Sequence, residues 1–377
     1  MSVLQCDSFD GYVSSELGLY WSDQAIFGAA SIGTPARTGV GAMRPSPGGV
    51  ARNTGTLLFD AIVGAAFMTS GSGGPIFAFT QGIGSSGLAN SVVQCQLVML
   101  ADGTVGVQQR ANGAILATSD SSGAVLQSNV YSYVEWLTSF AAGGGLNQVY
   151  INGQLVLSAV VDTNGAPLPG ANTVWLLGAG GGAANFFDDY YLVNPDDGTD
   201  LTTFAGDSSV ICAISSANGD TNEWTPTPAT NQNWQNVHQI PSSSGLLYNR
   251  SNGINTVDDY EVSPPLALTD KILAVQLMHR SFAEESGDLA EPFLNIQGTS
   301  YNDNAHLYEP STAAYTPMFF IYERNPVSSG GLSPWTGVAF NGTNWGIGQI
   351  GHPVTFAVRL SSVHNVNQGN VTGVLTP

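Results

Sequence analysis

The chain has 377 residues, only 10% of them charged, and its 28 acidic side chains face nine basic ones for a net charge of −19. Lys271 is the only lysine, and without clusters of Lys and Arg to neutralise phosphates or anionic lipid the composition argues against a nucleic-acid partner and against an acidic membrane surface. Forty-six glycines and 19 prolines disfavour long surface helices and favour short strands joined by tight turns.

The start, "MSVLQCDSFD", has neither a basic n-region nor an apolar h-region, so no secretory signal is expected and the chain is expected to be made in a cytoplasm. No membrane insertion is expected, because the apolar run "LLFDAIVGAAFM" is interrupted by Asp60 and Gly64. In "VVQCQLVMLADGTVGVQQRANGAILATS" two alternating runs flank Asp102-Gly103 and a third follows Asn112-Gly113. These dipeptides accept the positive φ of type I′ turns and predict a three-stranded antiparallel meander. Strands at 131–140 and 147–151 follow, with a further hairpin at Asn152-Gly153. "TVWLLGAG" and "FFDDYYLV" add two more strands, read as a hairpin across a glycine-rich turn.

After Asn194 the polar run "PDDGTD" has the look of a connector. Beyond it come "SSVICAIS", "DDYEVSPPL", "KILAVQLMHRSF", "MFFIYER" and "FAVRLSSV", again short and turn-bounded. The expected fold is all-β, two antiparallel β-sandwiches in tandem over residues 1–194 and 195–377.

Chemical signatures are sparse. "GAGGGA" (178–183) matches GxGxxA by letter, but a strand follows where a dinucleotide site needs a helix N-terminus, so it reads as a turn. No GxSxG elbow is present, and Cys6, Cys95 and Cys212 lie far apart and read as buried free thiols. His238, His279, His306, His352 and His364 show no zinc-binding spacing. A glycosidase would place two acids about 5–10 Å apart, yet adjacent strand residues point to opposite faces, which sends Asp188 and Asp189 apart. "EESGDLAE" (284–291) reads as a solvated loop tip. Calcium is weighed as a minor candidate at Asp188 or Asp189; otherwise no catalytic, cofactor-binding or metal residue and no cofactor is expected. Trp136 and Trp175, inside alternating strands, are expected in the core, while Trp224, Trp234, Trp335 and Trp345, in polar loops, are open to interface or ligand contact. Asn249, Asn341 and Asn370 match Asn-x-Ser/Thr and are expected to stay unmodified.

The ordered series "DSFDGY", Trp21, "LADGTVGVQQRANGAILATS", "YVEW", "QVYINGQLVLSAVVDT" and "VWLLGAGGGAANFFDDYYLVN" resembles the laminin-G/concanavalin-A-like jelly roll of bacteriophage virion proteins. "GDSSVICAISSANGDTNEWTP", "DDYEVS", "ILAVQLMHRSFAEESG" and "PWTGVAFNGTNWGIGQI" are similar to the second half of the same proteins. "HRSFAEESG" stands where such chains carry "RKDD"-like text. The resemblance implies a non-enzymatic structural protein of the virion, on a tail, baseplate or fibre, assembled with other virion proteins and symmetry copies of itself, with host surface glycan as a further contact. The alternatives are a capsid decoration, cement or head-fibre protein, and a glycan-binding module or glycan-degrading enzyme of concanavalin-A-like fold.

Overall fold

A computed structural model describes residues 3–365 except 12, 22–29, 84–87, 89–90, 110–112, 166–168, 198–202, 238–246, 252, 254, 264–265, 268–270, 284–285, 288, 314–315, 327–332 and 351–353. Asn112, His238, His352 and Asn370, singled out above, lie outside the described residues. The fold is all-β and antiparallel throughout, as expected. Its first fourteen strands are β1 (Val3–Asp7), β2 (Ser31–Gly33), β3 (Ala42–Arg44), β4 (Val50–Leu58), β5 (Asp60–Thr69), β6 (Gly74–Gln81), β7 (Val92–Met99), β8 (Val105–Gln109), β9 (Ile115–Thr118), β10 (Ser132–Ser139), β11 (Gly145–Ile151), β12 (Gln154–Val161), β13 (Ala171–Leu176) and β14 (Asn185–Val193). They form two sheets, ordered β12-β11-β10-β5-β14-β3-β2, with β1 beside β14, and β4-β13-β6-β7-β8-β9. Phe77, Phe79, Trp136 and Phe187 are among the side chains that fill the space between them.

The other twelve strands are β15 (Ser209–Asn222), β16 (Thr225–Thr227), β17 (Tyr248–Arg250), β18 (Val257–Ser263), β19 (Lys271–Ala283), β20 (Leu289–Ile296), β21 (Thr299–Asn302), β22 (Thr316–Tyr322), β23 (Arg324–Asn325), β24 (Ser333–Thr336), β25 (Thr343–Ile350) and β26 (Val354–Asn365). All belong to one connected sheet, β21-β20-β25-β18-β15-β26-β19-β24-β23, with β22 on β19 and β17 on β26. The 14-residue β15 pairs with β26 over Ser209–Ala213 and with β18 from Ile214 to Asn222, the second pairing carrying two register breaks. A second core, containing Leu277, Leu294, Tyr322, Trp335 and Trp345, lies within this part of the chain. Among the described residues the α-helices are single turns: α1 (Leu17–Tyr20), α2 (Asn233–Val237) and α3 (Gly337–Asn341).

The meander at 92–118 is present as β7, β8 and β9. Its first turn differs from expectation. Only Gly103 takes a positive φ, and the Asp102 carboxylate accepts hydrogen bonds from the Thr104 N–H and hydroxyl at 3.0 and 2.6 Å, which favours a wider loop over type I′. Asn152-Gly153 does turn with two positive φ values. "GAGGGA" is a loop, yet it carries the chain from one sheet to the other rather than closing a hairpin, since β13 and β14 belong to different sheets.

Asp188 and Asp189 give the largest departure. A bulge in β14 sets Asp188 opposite Ala66 and Tyr191 opposite Gly64, and Asp189 adopts φ 51°. The alternation that would separate the two carboxylates is thereby lost. Asp188 Oδ2 accepts from the N–H groups of Arg37 and Thr38 at 2.8 and 2.9 Å. Asp189 Oδ1 accepts from the Thr38 hydroxyl at 2.9 Å and the Val210 N–H at 2.7 Å, while Arg37 Nη1 lies 3.3 Å from Oδ2. Arg37 also pairs with Asp207 and lies 5.2 Å over the Tyr133 ring. Calcium needs carboxylate oxygens open to a cation; these are occupied by donors, a guanidinium among them, and do not fit the ion. Burial pushes both carboxyls above the usual range, and the charge of Asp189 adds to the effect on Asp188.

The outer face of β10 and β14 is covered by the later strands. Tyr133, Tyr191 and Val193 pack with Ala205, Val210, Ala274 and Ile321 in one buried cluster, and Gln276 exchanges hydrogen bonds with the backbone of Cys6. At its centre Glu135 accepts from Tyr191 Oη at 2.5 Å and the Gly206 N–H at 2.9 Å. Burial raises the Glu135 carboxyl from 4.5 to about 7. The folded value lies above the unfolded one, so the stability linked to this group is complete below its unfolded pKa and is lost as pH rises through about 7. Glu135→Gln keeps an acceptor without the charge. Relative to the native chain, its unfolding free energy should rise by about 2–3 kcal/mol between about pH 4 and pH 8 in urea titrations, whereas a pH-independent difference would contradict the assignment.

Candidate functional site

Charged, imidazole and phenol groups converge where β21 ends. Asp303 follows β21 directly and its N–H bonds Pro292 O at 3.1 Å, after which one 3-10 turn over Asn304–His306 is closed by the His306 N–H on Asp303 O at 2.9 Å. Tyr308 then exchanges two 2.9 Å backbone bonds with Ala290 of β20. In a 3-10 turn residues three apart eclipse, which stacks the Asp303 and His306 side chains on one side.

Asp303 is buried, and its Oδ2 receives two groups: His306 Nδ1 at 2.5 Å and Tyr322 Oη at 2.7 Å. With Nδ1–H donating to the carboxylate, His306 Nε2 is left as the acceptor, on a side chain that keeps 35% of its surface exposed. The imidazole meets the Phe320 and Tyr322 rings edge-on at 5.6 and 6.3 Å. Tyr308 packs against Phe320 at 5.7 Å and donates to Ser281 Oγ at 2.8 Å.

Across the hairpin, Glu291 Oε1 accepts from Asn302 Nδ2 at 2.7 Å, and Oε2 is buried without a hydrogen-bond partner among the described residues. Burial pushes the Glu291 carboxyl above the usual range and the charge of Asp303 adds to it; the Tyr301 phenol is raised for the same two reasons. Tyr322, buried and facing the Asp303 charge, is raised further.

The sequence placed Glu291 on a solvated loop tip. The structure puts it inside β20 at 1% exposure; Ser286 and Gly287 alone of the described tip residues are exposed, and both donate to Glu309 Oε1. His279, buried against Phe320 and Tyr308, is held neutral by burial, which lowers it to about 3. Cys6 and Cys95 are buried free thiols and Cys212 is a half-buried one. Trp136 and Trp175 are core residues as expected. Trp224, Trp335 and Trp345 are buried too, contrary to the loop reading, because β24 and β25 carry the last two into the second core; Trp234 is half-buried. Asn249 is fully buried and its amide bonds Asn233 O, Asp258 and Tyr260, so the sequon is part of the core. A spacing scan overlooks the 291–322 cluster because its members come from three strands and a turn. The one local signal was Asp303 three residues before His306.

No protein-family model and no curated protein matches the chain. Solved structures do show likeness. An endo-β-1,4-glucuronan lyase from the fungus Trichoderma reesei shares 14% identity over 46% of this chain and 88% of its own, at a TM-score of 0.34. An alginate lyase shares 16% over 50% and 95%, at 0.34. The carbohydrate recognition domain of Emp46p shares 13% over 49% and 97%, at 0.29. The expectation of a non-enzymatic chain is corrected on this finding, since the structures similar to it include lyases. Nothing in these comparisons points to a phage protein.

Tyr322→Phe removes one donor from Asp303 and leaves the carboxylate the His306 bond. It should lower stability by about 1–2 kcal/mol in thermal unfolding, and Asp303→Ala, which strands a buried phenol, should cost more. Equal, negligible losses would show that the contact is not formed.

Proposed function

We propose that the chain is a carbohydrate-directed β-sandwich protein whose 291–322 cluster binds a glycan and cleaves it by general acid–base chemistry. The observation that carries this reading is the buried Asp303 carboxylate holding His306 by Nδ1, which leaves Nε2 as the acceptor of a part-exposed imidazole, beside a carboxyl of raised pKa. In this reading water attacks the anomeric carbon and passes a proton to His306 Nε2. The bond to the leaving oxygen breaks as Glu291 delivers its proton there, so the chemistry runs on side chains without a cofactor. Aromatic rings interleaved with hydroxyl and amide groups suit a ligand rich in both C–H faces and hydroxyls. The distant likenesses are not needed for this reading. Binding without cleavage is the second reading, favoured by the position of Glu291 beneath the exposed Asn302.

His306→Ala, which removes the other donor from Asp303, should lower stability by about 1–2 kcal/mol, as Tyr322→Phe does, but unlike Tyr322→Phe should reduce product release from a responsive polysaccharide by about 10²-fold or more. Retained turnover in that variant, measured by new chain ends over a broad glycan panel, would remove His306 from the mechanism. Binding by calorimetry with no product in the native chain would select the second reading.

We propose also, on the ordered sequence resemblance alone, that the chain is carried on a virion at a tail, baseplate or fibre position, among other virion proteins and copies of itself, and that residues 1–194 and 195–377 are its two units. Mass spectrometry of purified particles should find the chain in fixed proportion to the tail proteins; its absence from washed particles would end the virion reading.

A further inference from the structure

Where the chain leads from β14 into β15, residues 204–210 are tied to side chains of the earlier part. Phe204 lies on the Tyr150 ring at 4.3 Å, and the Ala205 N–H donates to Tyr191 Oη at 3.2 Å. The Gly206 N–H donates to Glu135 Oε1 at 2.9 Å and the Val210 N–H to Asp189 Oδ1 at 2.7 Å. Arg37 completes the set by pairing with Asp207 and donating to Ser208 O at 3.1 Å. Two glycines make the arrangement possible. Gly206 takes φ 81°, in the left-handed region. Gly64 of β5 is in register with both Glu135 and Tyr191, and a Cβ there would fall 2.2 Å from the Tyr191 ring, so its absence lets the phenol cross β5 to reach the Glu135 carboxyl.

The charges at this place do not balance. Glu135, Asp189 and Asp207 gather around Tyr133 with Arg37 as their cation, and the ion pairs of Arg37 go to the two aspartates. Glu135 is left to neutral partners: the Tyr191 hydroxyl from β14 and the Gly206 N–H, with Gly64 of β5 and Tyr150 of β11 in register beside it and Asp207 as its charged neighbour. Burial, with the Asp207 charge added, holds its carboxyl at about 7 against an ordinary 4.5. Burial and the Glu135 charge keep the Tyr133 and Tyr191 phenols well above their usual range, so both remain donors. Burial raises Asp189 as well, which acts in the same sense at Val210. Lifted off, residues 204–210 would leave Glu135 to water and its ordinary value. The closed arrangement therefore has its full advantage below about 4.5 and loses it as pH rises through about 7. Other contacts between the earlier and later strands use neutral groups or a carboxylate with its own cation: Gln276 with Cys6, Arg280 with Glu16 at 3.5 Å, and Arg52 at 4.4 Å over the Phe319 ring.

We propose that residues 204–210 are a pH-sensitive strap, closed over β10, β11 and β14 in acid and released as the pH passes neutrality, while the rest of the interface stays shut. Release uncovers Glu135, Tyr150 and Tyr191 on the outer face of the first sheet. The strap needs neither the glycan reading nor the virion reading.

Amide hydrogen exchange of the full chain, taken as protection relative to the intrinsic rate at each pH, tests this. Protection at Ala205 and Gly206 should fall on the order of 10²-fold between about pH 4 and pH 8, while the amides of β7 hold theirs. Glu135→Gln keeps the acceptor without the charge and should lose at least about tenfold of that change. In the native chain the Glu135 carboxyl carbon, followed by NMR, should titrate over the same pH range as the strap opens, a measurement that decides the matter even where the variant does not fold. Strap protection that is flat with pH, a fall shared equally by β7, a fall undiminished in Glu135→Gln, or a Glu135 carboxyl that titrates without any change at Ala205 and Gly206 would each overturn the proposal, the second by showing that the whole fold loosens together.

Discussion

Twenty-eight carboxylates share nine cationic side chains, and the buried part of this fold is organised around that shortage. A buried carboxylate without a counter-charge must be given hydrogen-bond donors or kept protonated. Asp188 and Asp189 receive backbone N–H groups, a threonine hydroxyl and one of the few arginines. Glu135 receives a tyrosine and a backbone N–H. Asp258 is met by the amides of Asn233 and Asn249 and by Tyr260. The abundance of Asn, Thr and Tyr in the sequence thus has a structural use: these residues replace the cations that the composition omits.

The same shortage ties the earlier strands to the later ones. The bulge at Asp189 aims one carboxylate at the loop of Arg37 and Thr38 and at the first residues of β15 together, so a single side chain fixes three chain segments. Around it the outer face of β10 and β14 is sealed by apolar residues from β15, β19 and β22. The stretch "FFDDYY" therefore lies at a seam, in the middle of its sheet, with Tyr190 facing the first core and Tyr191 facing the cluster that joins the two parts.

Much of this organisation was legible. Alternation and turn dipeptides located β7 to β12 within a few residues, and Asn152-Gly153 gave its hairpin for the physical reason anticipated, two consecutive positive φ values. The failures have two causes. Asp102-Gly103 widened through a local competition, the Asp102 carboxylate taking the Thr104 N–H and hydroxyl two residues on. The Asp188-Asp189 alternation broke because long-range donors at residues 37, 38 and 210 made a left-handed residue worthwhile, and Trp335 and Trp345 were drawn inward by strands with weak local pattern. In these last two cases a contact distant in sequence overrode a local rule, and a single sequence displays only local rules. The 291–322 cluster was invisible for the same reason. Its parts lie on β20, β21 and β22 and meet only through the 3-10 turn at 304–306.

Within that cluster the two carboxylates are not equivalent. Asp303 accepts from a phenol and an imidazole on one oxygen and sits on a turn pinned to β20 by Pro292, Ala290 and Tyr308. A carboxylate held so firmly is suited to orient an imidazole. Glu291 is held by one oxygen only, through an exposed asparagine, and the other oxygen has no donor among the described residues. Its burial raises the proton affinity that an acid catalyst needs, and the missing donor leaves room for that proton. Rigid orienter and loosely held acid are opposite demands on the same residue type, and the difference between them here is the number of neutral donors the surrounding strands supply.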